Sequence, residues 1–509
     1  MSTMPTSLDV SNLAICKENA LKVVNEEIML NAVYLNGQWV TIEVTHESDA
    51  ALKEQNLFDP SSAELIAKTR LASAHYVDQA ARAAEQAFED WSNTAVSDRA
   101  RYLSGIADEM QKRFDKLVSL SVLNNGKPIV EAELDVNDAI ACYRYYAKLI
   151  QNQPSQSLVE TGEPSVRLYK CNEPVGVCAL IVPWNFPMVT TAWKLAPALA
   201  AGCTVLLKPS EVTLLPELML GNILEEINLP KGVVNILPGG ADVGAAMTSH
   251  PLVDKISFTG SNVVGEKVMV QAAQGIKDIS LELGGKSAIV VRADANIDLA
   301  CELIVGGIFA NCGQICSATS RLLVHADIAQ TLFSKLKIVI EALIVGDGFD
   351  STTQMGPLVS EAQFKQVKKY FDIAADEQLA CLTGGQTLQQ EGYFVMPTVY
   401  TEVPTTSRLW REEIFGPVLV TQTFSSDEEA VKLANDSQYA LAASVVSTNE
   451  QAAMTLARQI RAGHVWINEF QIVLPEAGWG GFKQSGIGRE LGEDGLSAYQ
   501  KSKHILLPN

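Results

Sequence analysis

Two side chains in this sequence are placed to do covalent and acid–base chemistry. Cys316 lies in Gly313-Gln314-Ile315-Cys316-Ser317-Ala318, and Glu282 in Leu281-Glu282-Leu283-Gly284-Gly285-Lys286. Small and polar neighbours leave Cys316 available as a nucleophile; the competing reading is a buried, inert thiol. Cys312, four residues earlier, fits helical packing better than a redox or metal pair. A carboxylate between two leucines and ahead of a Gly-Gly bend is an odd choice for a buried strand end. Desolvation there would raise its pKa toward the range of a general base, unless a backbone amide or Lys286 ties it down.

A second group of residues could cradle a dinucleotide. Lys208-Pro209-Ser210-Glu211 and Thr259-Gly260-Ser261, with Gly265 following, come directly after strand-like runs. A lysine at a strand end can hold ribose hydroxyls or phosphate oxygens. A carboxylate three residues on can accept from the adenosine ribose and repel a 2′-phosphate, which favours NAD over NADP. The Gly260–Gly265 stretch opens a helix, whose free N–H groups attract phosphate. The GxGxxG fingerprint is absent, and an ion pair with a helix cap, or an ordinary turn, would also account for these residues.

The elements that must position these groups follow a regular rhythm. Strand-like runs at Val175–Val182, Thr204–Lys208, Val233–Leu237 and Lys255–Phe258 alternate with helical patterns at Thr191–Ala201, Pro216–Asn228, Asp242–Ser249 and Val263–Gln274. That alternation predicts βαβ units and a parallel sheet covered on both faces, with ligands beyond the carboxyl ends of the strands. A second series has strands at 288–291, 321–324, 417–423, 443–447 and 464–468, with helices at 298–309, 326–342, 361–375 and 450–460. Ahead of both, Asn36-Gly37 predicts a hairpin turn, and 77–91, 97–120 and 135–150 read as helices. Residues 151–172 read as an excursion, either an exposed loop or a hairpin lending an edge to another subunit. Residues 1–30 read as an extension ahead of the folded body.

Composition excludes several classes. The chain has 509 residues, 47% hydrophobic and 19% charged, against a usual charged share of about 25%, so it is a large folded protein and not a disordered one. The net charge of −20 gives no electrostatic reason to bind nucleic acid or anionic lipid. No apolar run approaches the ~20 residues that span a bilayer, and the first 30 residues lack a secretory or transit pattern. Nine scattered cysteines argue for a reducing, cytoplasmic setting, and six dispersed histidines without HExxH give no support for a metal site.

Seven motifs occur in one order: WNFP at 184–187, KPSE at 208–211, FTGS at 258–261, LELGGK at 281–286, GQICSA at 313–318, EEIFGPV at 412–418 and WGGFKQSGIGRELGEDGL at 479–496. Together, over about residues 31–507, the chain resembles the NAD(P)-dependent aldehyde dehydrogenase superfamily, most of all its betaine-aldehyde and aminoaldehyde members. The resemblance implies that Cys316 attacks the aldehyde carbon as its thiolate and that the Asn185 amide and the Cys316 backbone N–H hold the oxyanion. Hydride transfer to NAD would leave a thioester, which water activated by Glu282 releases as the acid. Lys194 and Glu490 match positions that help proton movement. Val182, Trp184, Lys208, Ser210, Glu211, Gly240, Gly244, Ser261, Val264 and Leu283 match the cofactor cleft, and Glu413 and Phe415 match contacts to the nicotinamide ribose and ring. NAD is favoured; NADP is possible.

Phe186, Trp193 and Trp479 match positions lining the aldehyde tunnel, where an aromatic box can receive a quaternary ammonium. Three positions depart from betaine-aldehyde enzymes: Phe186 replaces a common Tyr, Ala310 a frequent Trp, and His464 a small residue. They leave betaine aldehyde or an aminoaldehyde as the alternative to an apolar or bulky aldehyde. The implied fold is α/β, with two Rossmann-like parallel-sheet domains and a small β element for homo-oligomerisation, dimer or tetramer. Its expected bounds are 31–150 and 173–284 for NAD binding, 285–484 for catalysis, and 151–172 with 485–509 for oligomerisation. A CoA-acylating enzyme would usually lack a carboxylate like Glu282. A non-catalytic descendant of the fold would tend to lose a nucleophile like Cys316.

Overall fold

The structure is a computed structural model, and it describes residues 15–43, 54–154 and 156–509. Strands buried on both faces must be apolar along their whole length. Val177–Ile181 (VCALI) and Thr204–Lys208 (TVLLK) are buried at every position. They form the centre of an eight-stranded sheet with Val234–Ile236 on one side and Lys255–Thr259 and Asp278–Glu282 on the other, all parallel. The chain runs outward from Val177–Ile181 through Thr204–Lys208, then crosses back to Lys255–Thr259. The order therefore reverses between Val177–Ile181 and Lys255–Thr259, which opens a crevice at their carboxyl ends.

The hairpin Ala32–Leu35/Gln38–Thr41 extends one edge of this sheet, and Gly486–Ile487 pairs antiparallel with Asp278–Glu282 at the other. Its turn residues Asn36 and Gly37 have φ of 50° and 76°, the left-handed pair that a two-residue hairpin requires. Helices Ala74–Ser92, Val96–Lys112, Phe114–Asn125 and Ile129–Asn152 precede the first parallel strand. The 97–120 segment thus divides into two helices at Arg113.

The second sheet has seven strands. Thr398–Thr401, Val418–Phe424, Arg321–His325, Ala288–Val291, Ala442–Val446 and His464–Ile467 are parallel neighbours in that order, and Ala380–Thr383 is an antiparallel edge. A separate antiparallel sheet joins Gln156–Val159, Val166–Pro174 and the terminal Gln500–Pro508, in register from Gln500↔Pro174 to Pro508↔Val166. The 151–172 excursion is thus a hairpin sealed by the end of the chain.

One expectation changes here. Residues 1–14 of the expected extension lie outside the described residues, but its remainder is part of the body. Helix Lys17–Glu26 buries Ala20, Val23 and Val24 in the core around the first sheet, and Asn222 Nδ2 donates to the Glu27 carbonyl at 2.8 Å. The amphipathic spacing of Ala20, Val23 and Val24 carries this burial. Among the described residues no helix is long and apolar enough to cross a membrane, and no group of three or more His, Cys, Asp or Glu could hold a metal ion.

Candidate active site

The strand Asp278–Glu282 delivers Glu282 to the carboxyl edge of the first sheet, opposite Thr259. Glu282 is buried, and neither carboxylate oxygen has a hydrogen-bond partner. The competing picture of a carboxylate tied to a backbone amide or to Lys286 is therefore not what the chain adopts; Lys286 Nζ is itself buried without a partner. Burial, and next the Glu490 carboxylate, push the Glu282 pKa well above the usual carboxylate range, with Lys194 and Arg489 opposing.

Cys316 follows a turn in which Asn311, Cys312 and Gly313 have φ of 45°, 53° and 72°. Cys312 is buried in this left-handed turn and is not packed within a regular helix, as its spacing suggested. Cys316 is half-buried, unlike Cys142, Cys178, Cys203, Cys301 and Cys312. Burial, then the carboxylates of Glu413 and Glu282, push its thiol up to about 12. That shift favours the neutral thiol over the standing thiolate that the resemblance implies. Its proton has to leave as the reaction begins.

Asn185 is carried between the strand Val177–Ile181 and the helix Pro187–Ala201. Its Nδ2 donates to the Gln314 carbonyl at 3.0 Å, two residues before the cysteine. One N–H of this amide is thus used to tie the two loops together, and the second remains for an oxyanion. Behind the site, Lys194 Nζ contacts Glu490 Oε1 and donates to Ser257 Oγ at 3.0 Å, and Ser257 Oγ donates to Glu490 Oε1 at 3.1 Å. All three are buried. Ser257 was not singled out in the sequence; only its inward position on the strand Lys255–Thr259 signals it.

The residues expected to cradle a dinucleotide gather along the crevice at the switch point. Val182 N–H donates to the Lys208 carbonyl at 3.2 Å. Lys208 Nζ pairs with Glu211 Oε2 at 3.1 Å, so the ion-pair alternative is also present. Ser210 Oγ accepts from Val212 N–H. Gly244 faces the Lys208 side chain, where a β-carbon would stand 3.7 Å from Cδ. Gly240 and Ser261 precede the helices Ala241–Ser249 and Asn262–Gly275, which place free N–H groups at the crevice. Val264 is exposed on the second of these helices, and Leu283 packs on Gly265, where a β-carbon would stand 2.6 Å from Cδ2.

Opposite, Glu413 Oε1 accepts from Gly285 N–H at 2.8 Å, and Trp184 meets Phe415 edge-on at 5.2 Å. Burial lifts Glu413 to about 7. These positions fit a dinucleotide: two helix N-termini for phosphates, a lysine–glutamate pair for ribose hydroxyls, and glycines where side chains would fill the groove.

The aromatic positions divide into two sets. Trp193 and Phe186 are half-buried. Phe186 already has one ring face covered by Lys127 Nζ, 3.9 Å from its centroid. Trp479 is only 2% exposed, so it backs Trp193, at 5.8 Å between rings, and lines no open tunnel itself. His464 packs at a tilt against Trp466 at 4.9 Å and Trp479 at 5.4 Å, and burial lowers its pKa, favouring the neutral ring. Trp466 was missed because it reads as an ordinary strand residue. Ala310 packs against the core of the second sheet and not in this cluster.

A sequence profile of the aldehyde dehydrogenase family matches residues 46–505. The chain is 45% identical to the peroxisomal aminoaldehyde dehydrogenase 1 of Pisum sativum, over 88% of this chain and 91% of that one. It is 40% identical to the chloroplastic betaine aldehyde dehydrogenase of Beta vulgaris, over 88% and 92%. The crystal structure of betaine aldehyde dehydrogenase from Staphylococcus aureus in complex with NAD+ superposes with a TM-score of 0.92 at 35% identity, over 96% of this chain and 97% of that one.

Proposed function

The chain belongs to the aldehyde dehydrogenase family, and on that footing we propose that it oxidises an aldehyde to its carboxylic acid with NAD, through a covalent bond to Cys316. The observation that carries this reading is the convergence of three groups. A half-buried thiol, a buried carboxylate that has no hydrogen-bond partner and acts on the thiol through space, and an amide tied to the thiol's own loop support it.

Cys316 Sγ bonds to the aldehyde carbon as its proton leaves. The carboxyl groups of Glu413 and Glu282, which act on the thiol through space, are the candidate bases for that proton. The Asn185 amide and the Cys316 backbone N–H hold the oxyanion of the thiohemiacetal; losing one such donor typically costs about 10²–10³ in rate. Lys208, Glu211, Glu413, Phe415 and the helix ends at Gly240 and Ser261 would hold NAD, which supplies the hydride acceptor. Glu282 then takes a proton from water attacking the thioester, and the buried Lys194–Ser257–Glu490 chain offers that proton a path away.

The reading includes an aminoaldehyde or betaine aldehyde as substrate, supported by the names of the plant and bacterial relatives and by Trp193 at the half-buried aromatic wall. It divides the chain into an NAD-binding part (31–150 and 173–284), a catalytic part (285–484) and a sheet for self-association (151–172 and 485–509). Exposed Leu158, Ile505, Leu506 and Leu507 on the three-stranded sheet support burial against a second copy. Nine free cysteines support a reducing, cytoplasmic setting. The test is steady-state NADH formation with betaine aldehyde, aminoaldehydes, long-chain and aromatic aldehydes, each with NAD and with NADP and without CoA. Acid formation from an amino- or trimethylammonium-aldehyde at the highest kcat/KM supports the reading; no NADH with any aldehyde refutes it.

A further inference from the structure

The segment Asn125–Asp135 grips both loops that carry the proposed chemistry, one side chain at a time. Asn125 Nδ2 donates to the Trp184 carbonyl at 3.0 Å, and Lys127 Nζ to the Asn185 carbonyl at 2.8 Å. Glu131 Oε2 accepts from Asn311 N–H at 2.9 Å, and Asp135 Oδ1 from Val189 N–H at 2.9 Å. Asn311 closes the circle by donating from Nδ2 to the same Asn185 carbonyl at 3.0 Å. We propose that Lys127 and Glu131 are positioning residues that set the Asn185 amide against Cys316. This rests on the assignment of those two groups above.

The chemistry of the contacts argues for positioning over packing. Lys127 is buried, with Asp135 Oδ2 at 3.5 Å and the Glu131 carboxylate acting on its charge through space. A buried ammonium is costly to desolvate, so an apolar side chain would serve a mere filler better. Its hydrogen bond instead ends on the carbonyl of the very residue whose amide is to hold the oxyanion. On the other loop, Asn311 and Cys312 take left-handed backbone conformations without being glycine. Such conformations persist only where surrounding contacts over-determine them. The Glu131 carboxylate fixes the first of these residues, five positions ahead of Cys316. One short stretch of chain therefore registers the oxyanion donor against the nucleophile, although neither is its neighbour in sequence.

The test compares Lys127→Met, Glu131→Ala and Glu131→Gln with the unaltered enzyme. The readouts are kcat and aldehyde KM at saturating NAD, the NAD dissociation constant by fluorescence, melting temperature, and the rate of Cys316 alkylation by iodoacetamide. Lys127→Met should lose about 10²-fold in kcat, as for a misplaced oxyanion donor, with NAD affinity and alkylation rate unchanged. Glu131→Ala should lower kcat and alter the alkylation rate, and Glu131→Gln, which keeps an acceptor oxygen, should restore both. Unchanged kcat in folded Lys127→Met overturns the proposal, as does an equal loss in NAD affinity. Should Lys127→Met not fold, identical behaviour of the two Glu131 variants overturns it instead. Cys316→Ala assayed alongside reports on the nucleophile itself: turnover there refutes the underlying assignment, whatever the Lys127 result.

Discussion

Glu282 lies directly against Gly480: a β-carbon on Gly480 would stand 2.7 Å from the Glu282 Oε1 atom. Gly480 also has φ of +151°, a conformation that side chains disfavour. The segment after it is tied back by Trp479 and Glu490, which exchange both backbone hydrogen bonds, at 2.6 and 2.8 Å. The buried Glu282 carboxylate and the glycine bend therefore meet where Trp479 and Glu490 tie the chain back, next to the Lys194–Glu490 pair.

Gly480→Ala should push the Glu282 carboxylate away from this bend. On the proposed role of Glu282 at the thioester, the variant should keep its first turnover and lose steady-state rate. Rapid-mixing measurement of NADH checks this. An unaltered ratio of burst to steady-state rate would mean that the carboxylate does not work from this position.

The pH dependence of hydrolysis follows from the direction of the Glu282 shift. Burial and the Glu490 carboxylate raise its pKa, and only the ionised form can take a proton from water. The deacylation rate should therefore rise with pH through a midpoint above the ordinary carboxylate value. Glu282→Gln should remove that limb, with a burst of NADH followed by a stall at the thioester. A wild-type steady-state rate in this variant would point to another base.

The sulfur of Cys316 should be unreactive in the resting protein. With its thiol pushed up to about 12, the thiolate fraction grows about tenfold per pH unit below that value. Iodoacetamide alkylation in the absence of NAD should follow that slope. Glu413→Gln removes the largest charge opposing ionisation, and the cationic nicotinamide of NAD would act in the same sense. Each should therefore speed alkylation near neutral pH. A pH-independent rate would contradict the protonated resting state.

Lys208 and Glu211 pair at 3.1 Å beside the groove. If Glu211 excludes a 2′-phosphate, Glu211→Ala should raise kcat/KM with NADP and lower it with NAD, leaving kcat at saturating NAD nearly intact. Equal losses with both cofactors would assign Glu211 a structural role only.

Much of this was legible from the chain alone. Apolar runs at 204–208 and 288–291 must be strands, because a parallel sheet covered on both faces needs them apolar throughout. Helix spacing at 326–342 and 450–460 carried over nearly to the residue. Cys316 and Glu282 stood out by their small, polar or glycine-flanked surroundings, and Asn185 by the family resemblance of its WNFP motif. Helix Lys17–Glu26 was missed because a ten-residue amphipathic segment is decided by the surface that it meets. Lys127, Glu131 and Asn311 were missed because a hydrogen bond to a distant carbonyl leaves no local pattern.

The sequence by itself determined the order of strands and helices, which depends on residue type and short-range spacing, and its motifs pointed to the candidate reactive groups through the family resemblance. Only the tertiary structure decided the states of those groups. Burial and then Glu490 raise the pKa of Glu282, burial and then Glu413 raise that of the Cys316 thiol, and the Gln314 carbonyl holds the Asn185 amide. Desolvation and charge act through a few ångströms of space, and residues far apart in the chain come within that range only when it has folded.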